Sequence, residues 1–404
     1  MSFKTTTFPA LRARGLIGAA SRRETLSLLS AGVAAASLAG CASASTQTAS
    51  TEGALTMEQI ANGLTPEQEL FFPSQPDNPQ MRESTSIWLY EENGEFAFPR
   101  IGIEAEAWQW DNRLFTGNMT PGGDRVLWVA GRGPGPSPLD ADGRPTILGA
   151  GPVTFQMIEP FRKWRMTVEG QAIDTSVQDQ IARAIDRSKT VPVRLDVEME
   201  MATPCWVQDN SPEKVARMTE EERAEAESMG IGWRLEHLFR ATGSFTVDGQ
   251  TREFRGQGSR IKRQSVRPLD NFRGHVWQSA LFPDGRAFGY CAYPPFDDSD
   301  TDPYNDGYVY QDGVMYPARA KNMPFLRRLY GNGEDVSVEL EYERGTIQIG
   351  GVSKFATYKS LGPEFENIGD DFFLQQAGAH YTWDGQSAYG MIERSSLGRN
   401  MDPT

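Results

Sequence analysis

Apolar and polar positions alternate with a period of two over most of this chain, which predicts strands rather than helices. Residues 191–201 are the cleanest case. Val191, Val193, Leu195, Val197, Met199 and Met201 share one face, and Arg194, Asp196, Glu198 and Glu200 share the other. SIWLYE, EFAFPRIGIEAEAWQW, DRVLWVAG, VTFQMIEP and KWRMTVEG carry a similar pattern upstream. The densest signals lie between Trp233 and Tyr293. There LFRATGSFTV turns through Asp248-Gly249 into TREFRGQG, and WQSALF and RAFGYCAY flank Asp284-Gly285. Asp-Gly supplies the positive φ values that a tight two-residue turn needs. Further hairpins are expected at Asp312-Gly313, within VSVELEYERGTIQIGG and at Asp384-Gly385. Short strands joined this way fit closed antiparallel barrels better than a parallel sheet layered with helices.

Helical signals are few. Thr56 and Thr65 read as helix caps, with Pro66 at the first helical position and Gln68 closing a capping box. Val177, Ile181 and Ile185 share one face of a helix in DTSVQDQIARAIDRS, and residues 211–230 read as a charged helix opened by Ser211-Pro212. The expected organisation is therefore all-β: two similar domains of short antiparallel strands, suited to closed β-barrels, with short helical inserts. A tether and short helices occupy 41–84, a first β domain 85–210, a helical connector 211–232, a second β domain 233–395 and a tail 396–404.

The first 40 residues stand apart. Ser21-Arg22-Arg23-Glu24-Thr25-Leu26 resembles a twin-arginine export signal, and the apolar run after it ends in Leu38-Ala39-Gly40-Cys41, similar to a lipobox. The expectation is an exported protein lipidated at Cys41 and anchored to a membrane facing the periplasm, with cleavage at the nearby Ala-Ser-Ala as the alternative. Residues 1–40 carry five basic residues and one acidic, so their removal takes the net charge from −14 to −18. So acidic a surface excludes nucleic acid as a partner and confines membrane contact to the lipid anchor.

Cys205 and Cys291 could pair in an oxidising compartment or stay as buried thiols. Three separated histidines give no zinc spacing. The acidic run at Asp298, Asp300, Asp302 and Asp306 lacks the glycine of a calcium loop, so no metal and no cofactor is expected.

Several landmarks bring a family into view. Glu236 precedes Gly243-Ser-Phe-Thr-Val-Asp-Gly249, followed by Gly256-Gln-Gly-Ser-Arg260. Gly307-Tyr-Val309 and Trp383-Asp-Gly385, then Tyr389-Gly390 and Glu393, come later. In these the chain resembles the hydroxyneurosporene synthase-like (acyclic carotenoid 1,2-hydratase) and AttH-like superfamily of tandem lipocalin-like domains. It departs at Ile261-Lys262-Arg263-Gln264-Ser265, where that group continues Asp-His-Ser-Trp-Gly.

The resemblance implies a hydrophobic small-molecule ligand, isoprenoid, steroid-like or aromatic, and cofactor-free hydration, elimination or isomerisation. Such chemistry needs an acid to protonate a double bond and a base for water or for proton loss. A carboxyl group serves when burial raises its pKa. Glu236, between Leu235 and Leu238, is the candidate, with a structural ion pair to Arg260 or Arg267 as its alternative role. Arg260 and His275 are expected to assist it, and His237, Arg267, Trp277 and Tyr290 to contact the ligand. The competing readings are a periplasmic carrier of the same kind of ligand and an interaction module with a filled core.

Overall fold

The computed structural model describes residues 55–210, 215–220, 223, 226, 230–266, 273–295, 303–359 and 372–402. Among these, eleven strands form one sheet: β1 (Met81–Glu91), β2 (Ala97–Glu106), β3 (Arg113–Thr120), β4 (Arg125–Gly133), β5 (Ile147–Ala150), β6 (Val153–Glu159), β7 (Lys163–Ser176), β8 (Thr190–Met201), β9 (Trp206–Asn210), β10 (Ile231–Val247) and β11 (Gln250–Val266). Their order is β4-β3-β2-β1-β11-β10-β8-β7-β6-β5, and β4 also pairs with β7. That pairing closes eight of the strands into a ring. β6 shares the edge of β7 with β4, and β9 shares the edge of β10 with β8.

The second barrel is an eight-strand meander: β12 (Gly274–Leu281), β13 (Ala287–Ala292), β14 (Asn305–Gln311), β15 (Val314–Lys321), β16 (Val338–Tyr342), β17 (Gly345–Tyr358), β18 (Phe372–Trp383) and β19 (Gln386–Leu397). Each strand pairs with the next, and β19 closes on β12. The all-β, two-barrel architecture is thus the one the alternation predicts, and its lipocalin-like form is the one the resemblance implies.

Each barrel holds its own apolar cluster. A third cluster lies between them, built from Trp88, Tyr90, Trp206, Leu238 and Ile261 of the first and Trp277, Leu281, Tyr308, Phe355 and Met391 of the second. In this seam the Tyr90 hydroxyl donates to the Ala377 carbonyl at 2.7 Å, and the ring lies where a side chain on Gly378 would fall. Gly378→Ala is therefore expected to force Tyr90 aside and lower stability by about 1–3 kcal/mol, read from the urea midpoint.

Asp248-Gly249, Asp312-Gly313 and Asp384-Gly385 each adopt two positive φ values between paired strand ends, as the turn chemistry requires. The loop at Asp284-Gly285 differs. Only Gly285 takes a positive φ, and Phe282 and Arg286 close a longer loop, since Pro283 adds a residue with φ locked near −65°.

Two expectations change. The change of barrel falls between Val266 and Gly274, not at 211–232. The long β10–β11 hairpin bonds to β8 and β1, so residues 233–266 complete the first barrel. The helix expected over 174–188 is α3 (Val177–Ala182), capped by the Ser176 hydroxyl and stopped when Arg183 turns left-handed. Of the two readings open for Cys205 and Cys291, the structure bears out buried thiols without a disulfide.

Before β1, helices α1 (Met57–Ala61) and α2 (Pro66–Glu69) form a strap with the capping boxes expected at Thr56 and Thr65. Cys205 N–H donates to the Ile60 carbonyl, Asn62 donates to the Cys205 carbonyl, and Phe71 N–H donates to the Pro145 carbonyl. Among the described residues no helix is long and apolar enough to cross a membrane.

Candidate functional site

Strand geometry splits the sequence candidates between two environments. Neighbouring residues of a strand face opposite sides, so Glu236 and His237 cannot serve one site. On β10, Leu235 and Phe239 join the first barrel's core, while Leu238 joins the seam. Glu236 therefore faces the second barrel and His237 the interior of the first. Arg260 lies directly across from His237 on β11 and shares its side.

Inside the first barrel, Arg260 has no exposed surface and donates to both Glu69 of the strap and His237 Nδ1, the latter at 2.9 Å. Its guanidinium stacks 4.1 Å from the Trp164 ring. The second Glu69 oxygen accepts from Phe161 N–H. With Nδ1 accepting, His237 donates through Nε2 to the Ile60 carbonyl at 3.2 Å. Burial and the Arg260 charge hold this imidazole well below its usual range, so it is neutral. Lys262 and Glu83 pair nearby at 3.5 Å, burial pushing the lysine down and the glutamate up. This polar knot fastens the strap into the barrel. Arg260 and His237 are structural here and are not brought to Glu236.

Glu236 lies in the seam, 1% exposed. Burial pushes its carboxyl up to about 7, against the opposing pull of Arg234, Ser259 and Trp277. Arg234 approaches at 3.5 Å, donates to Gln208, and stacks on Trp277 at 4.2 Å and Trp206 at 5.7 Å. Trp277 in turn meets Trp88 edge-on with ring centroids 5.1 Å apart. A half-protonated acid beside one cation and three indoles can deliver a proton and take one back, with aromatic faces to stabilise positive charge.

His275 lies two residues from Trp277 on β12. Its Nε2 is 3.2 Å from Glu393, its Nδ1 is 2.6 Å from the Ser395 hydroxyl, and Gln376 donates to the other Glu393 oxygen at 2.9 Å. Burial would raise Glu393, but His275, Arg100 and Gln376 outweigh it and hold the carboxyl below its ordinary value. His275 and Glu393 thus form a hydrogen-bonded pair in the seam. Tyr290 turns into the second barrel, where its hydroxyl donates to Gln278 at 2.5 Å, so it does not line the seam. Arg267, Cys41, Asp298, Asp300 and Asp302 lie outside the described residues. Among those described, no group of acidic, histidine and cysteine side chains could hold a metal.

A cleft of about 740 Å³, which Glu236 does not line, is walled by Asn62 and Leu64 of the strap, Trp206 and Trp233, and Tyr308 and Val314. That volume suits a drug-sized apolar molecule. Trp206 and Tyr308 meet edge-on at 5.2 Å and form its inner wall. Trp206 carries the Arg234 cation on its ring, and Glu236 acts on the Tyr308 hydroxyl, which burial already raises well above its usual range. The acid therefore stands one side chain behind the cleft. Of the sequence candidates, the structure brings Glu236 and Trp277 together. It adds Arg234, Trp88, Trp206, Ser259 and Tyr308. Arg234 was readable from strand parity, being two residues from Glu236, whereas Trp88 and Trp206 reach the seam only through long-range pairing.

Fold and site together define a two-barrel β protein with a buried acid at the seam of its barrels. The chain belongs to the family described as domain of unknown function DUF7064, which matches residues 65–397. It is similar to the solved structure of an AttH protein of Nitrosomonas europaea at 14% identity and a TM-score of 0.45, over 86% of this chain and 98% of that one. Kievitone hydratase of Nectria haematococca is similar at 12% identity and 0.44, over 85% and 95%. CghA follows at 11% identity and 0.43, over 79% and 89%. No curated protein matches the sequence.

Proposed function

We propose that this protein takes an apolar small molecule into the seam cleft and alters it by cofactor-free hydration, elimination or isomerisation, with Glu236 as proton donor and acceptor. The observation that carries this reading is a fully buried carboxyl, raised to about 7, directly behind a cleft with aromatic walls. A neutral carboxyl can protonate a double bond, and the carboxylate it leaves can accept a proton from water or from a neighbouring carbon. The hydratase among the similar structures accords with this class of reaction. Mass spectrometry of organic extracts of the protein purified from its host tests the reading. One enriched apolar compound that the protein converts supports it, and an empty extract at good yield sinks it.

A carrier role is the second reading. Trp206 and Tyr308 close the wall between cleft and acid, and a carrier would hold its ligand on the outer side of that wall. A ligand recovered chemically unchanged after long incubation favours the carrier.

We also propose export through the twin-arginine signal and lipidation at Cys41, on the motifs at residues 21–26 and 38–41. Cys41→Ser is expected to abolish incorporation of labelled fatty acid and release the protein from membranes. Unchanged labelling would overturn the assignment.

A further inference from the structure

Glu236 and the cleft stand on opposite sides of a wall made by two rings, and those rings are held unequally. Trp206 lies directly across from Glu236 in the pairing of β9 with β10. Arg234 stacks against its ring from the seam, and the strap grips the residue before it through Ile60 and Asn62. Tyr308 meets Trp206 edge-on, is 1% exposed and completes the wall. Among the described residues its hydroxyl has no hydrogen-bond partner. Other buried tyrosines are treated differently: Tyr90, Tyr290, Tyr358 and Tyr381 each donate to an acceptor between 2.5 and 2.9 Å away.

Tyr308 rests on Gly289, its cross-strand neighbour on β13. A side chain at 289 would fall 2.6 Å from the Cε1 carbon of the ring and 2.9 Å from its hydroxyl oxygen. Tyr90 rests on Gly378 in the same way, but the Ala377 carbonyl latches its hydroxyl. Tyr308 has the seat without the latch. A latched hydroxyl forfeits its hydrogen bond when the ring turns. One without a partner forfeits nothing, and it gains water where it enters the cleft. At about 740 Å³ the cleft has the room that a change of rotamer needs.

We infer that Tyr308 is the gate between the cleft and Glu236: its ring turns off Gly289 into the cleft and opens the ligand's path to the acid. The inference rests on the cleft and acid proposed above, and it adds what controls access between them. Shut, the ring keeps bulk water from the carboxyl. Open, it vacates the space beside Trp206, on the face that Trp206 shares with Glu236.

Dicyclohexylcarbodiimide, an apolar reagent small enough for the cleft, tests access to the acid in the full-length protein. A carbodiimide nitrogen takes the carboxyl proton and the carboxylate oxygen adds to the central carbon. The O-acylisourea so formed rearranges to a stable N-acylurea, and nothing leaves. Mass spectrometry of the digested protein gives the labelling rate at residue 236. Glu83, a carboxyl buried inside the first barrel and also raised by burial, is the internal reference. Tyr308→Ala removes the ring, and Gly289→Ala props it off its seat at a position whose φ is not positive. Both variants are expected to speed labelling of Glu236 at least roughly 10-fold at pH 6, the factor for a gate open about one time in ten, and to leave Glu83 unchanged. The rate should fall as pH rises through about 7, since the reagent needs the protonated acid. Tyr308→Phe restores the ring and is expected to label as the wild type does. Unchanged labelling of Glu236 in either folded variant overturns the gate, as does no labelling of Glu236 in any form. Faster labelling of Glu236 and Glu83 together marks general loosening and overturns it too, as does a Tyr308→Phe rate as high as that of Tyr308→Ala. If the gate fails while Glu236→Gln abolishes turnover, the acid stands and is reached by another path. If the gate holds while Glu236→Gln turns over normally, the gate stands and the acid assignment falls.

Discussion

Glu236→Gln is expected to lower turnover of the protein's substrate at least about 100-fold while leaving its affinity nearly unchanged, because proton transfer by a positioned carboxyl contributes roughly 10²–10⁴-fold to a rate. Glutamine keeps the shape and the burial but cannot give up a proton. In the wild type, kcat/KM is expected to fall as pH rises through about 7, since the protonated form acts first. The same residue makes a stability prediction of definite sign. Its folded pKa lies above the unfolded value of 4.5, so the folded protein keeps a proton that the unfolded chain releases. Stability is full below about 4.5 and is lost as pH rises through 7, by on the order of 3 kcal/mol. Glutamine escapes that loss. Urea titrations of both proteins at pH 5 and pH 9 should show the variant gaining on the wild type at the higher pH. A constant difference between the two would mean that the carboxyl titrates normally.

The second large effect lies in the first barrel and leaves the acid untouched. Glu69→Ala strips the partner from Arg260, whose guanidinium has no exposed surface, and removes the acceptor of Phe161 N–H. Breaking a buried ion pair from one side costs about 3–5 kcal/mol, because the remaining charge stays desolvated. The double variant Glu69→Ala/Arg260→Met removes both charges and is expected to recover much of the loss. Denaturant unfolding reads both values. A single variant within about 1 kcal/mol of wild type would show that the strap is not fastened through this pair.

Much of this molecule was legible in its sequence. Alternation marked β8 in full, and three Asp-Gly pairs marked hairpins that form as two-residue turns. Parity alone would have separated Glu236 from His237, since consecutive residues of a strand cannot share a face. Other features were not legible, for identifiable reasons. The 17-residue strands β10 and β11 look local, yet their partners β8 and β1 belong to the first barrel, so the boundary fell some forty residues late of where it was expected. The early stop of α3 comes from Arg183 turning left-handed, and no glycine or proline announces it. Trp88 meets Trp277 across 189 positions of chain. No sequence period reports such a contact, which exists only after two barrels have closed and docked.

The seam also sets the order in which the chemistry comes into being. Synthesis delivers the first barrel whole once β11 has emerged, and at that moment Arg234, Glu236 and Trp88 face water. A carboxyl so placed keeps an ordinary pKa. Its burial arrives with Trp277 on β12, and the barrel that carries Trp277 closes only when β19, the last strand of the chain, pairs back onto β12. A chain cut short between residues 274 and 386 thus holds every strand of the first barrel and leaves Glu236 without the cover of a closed second barrel.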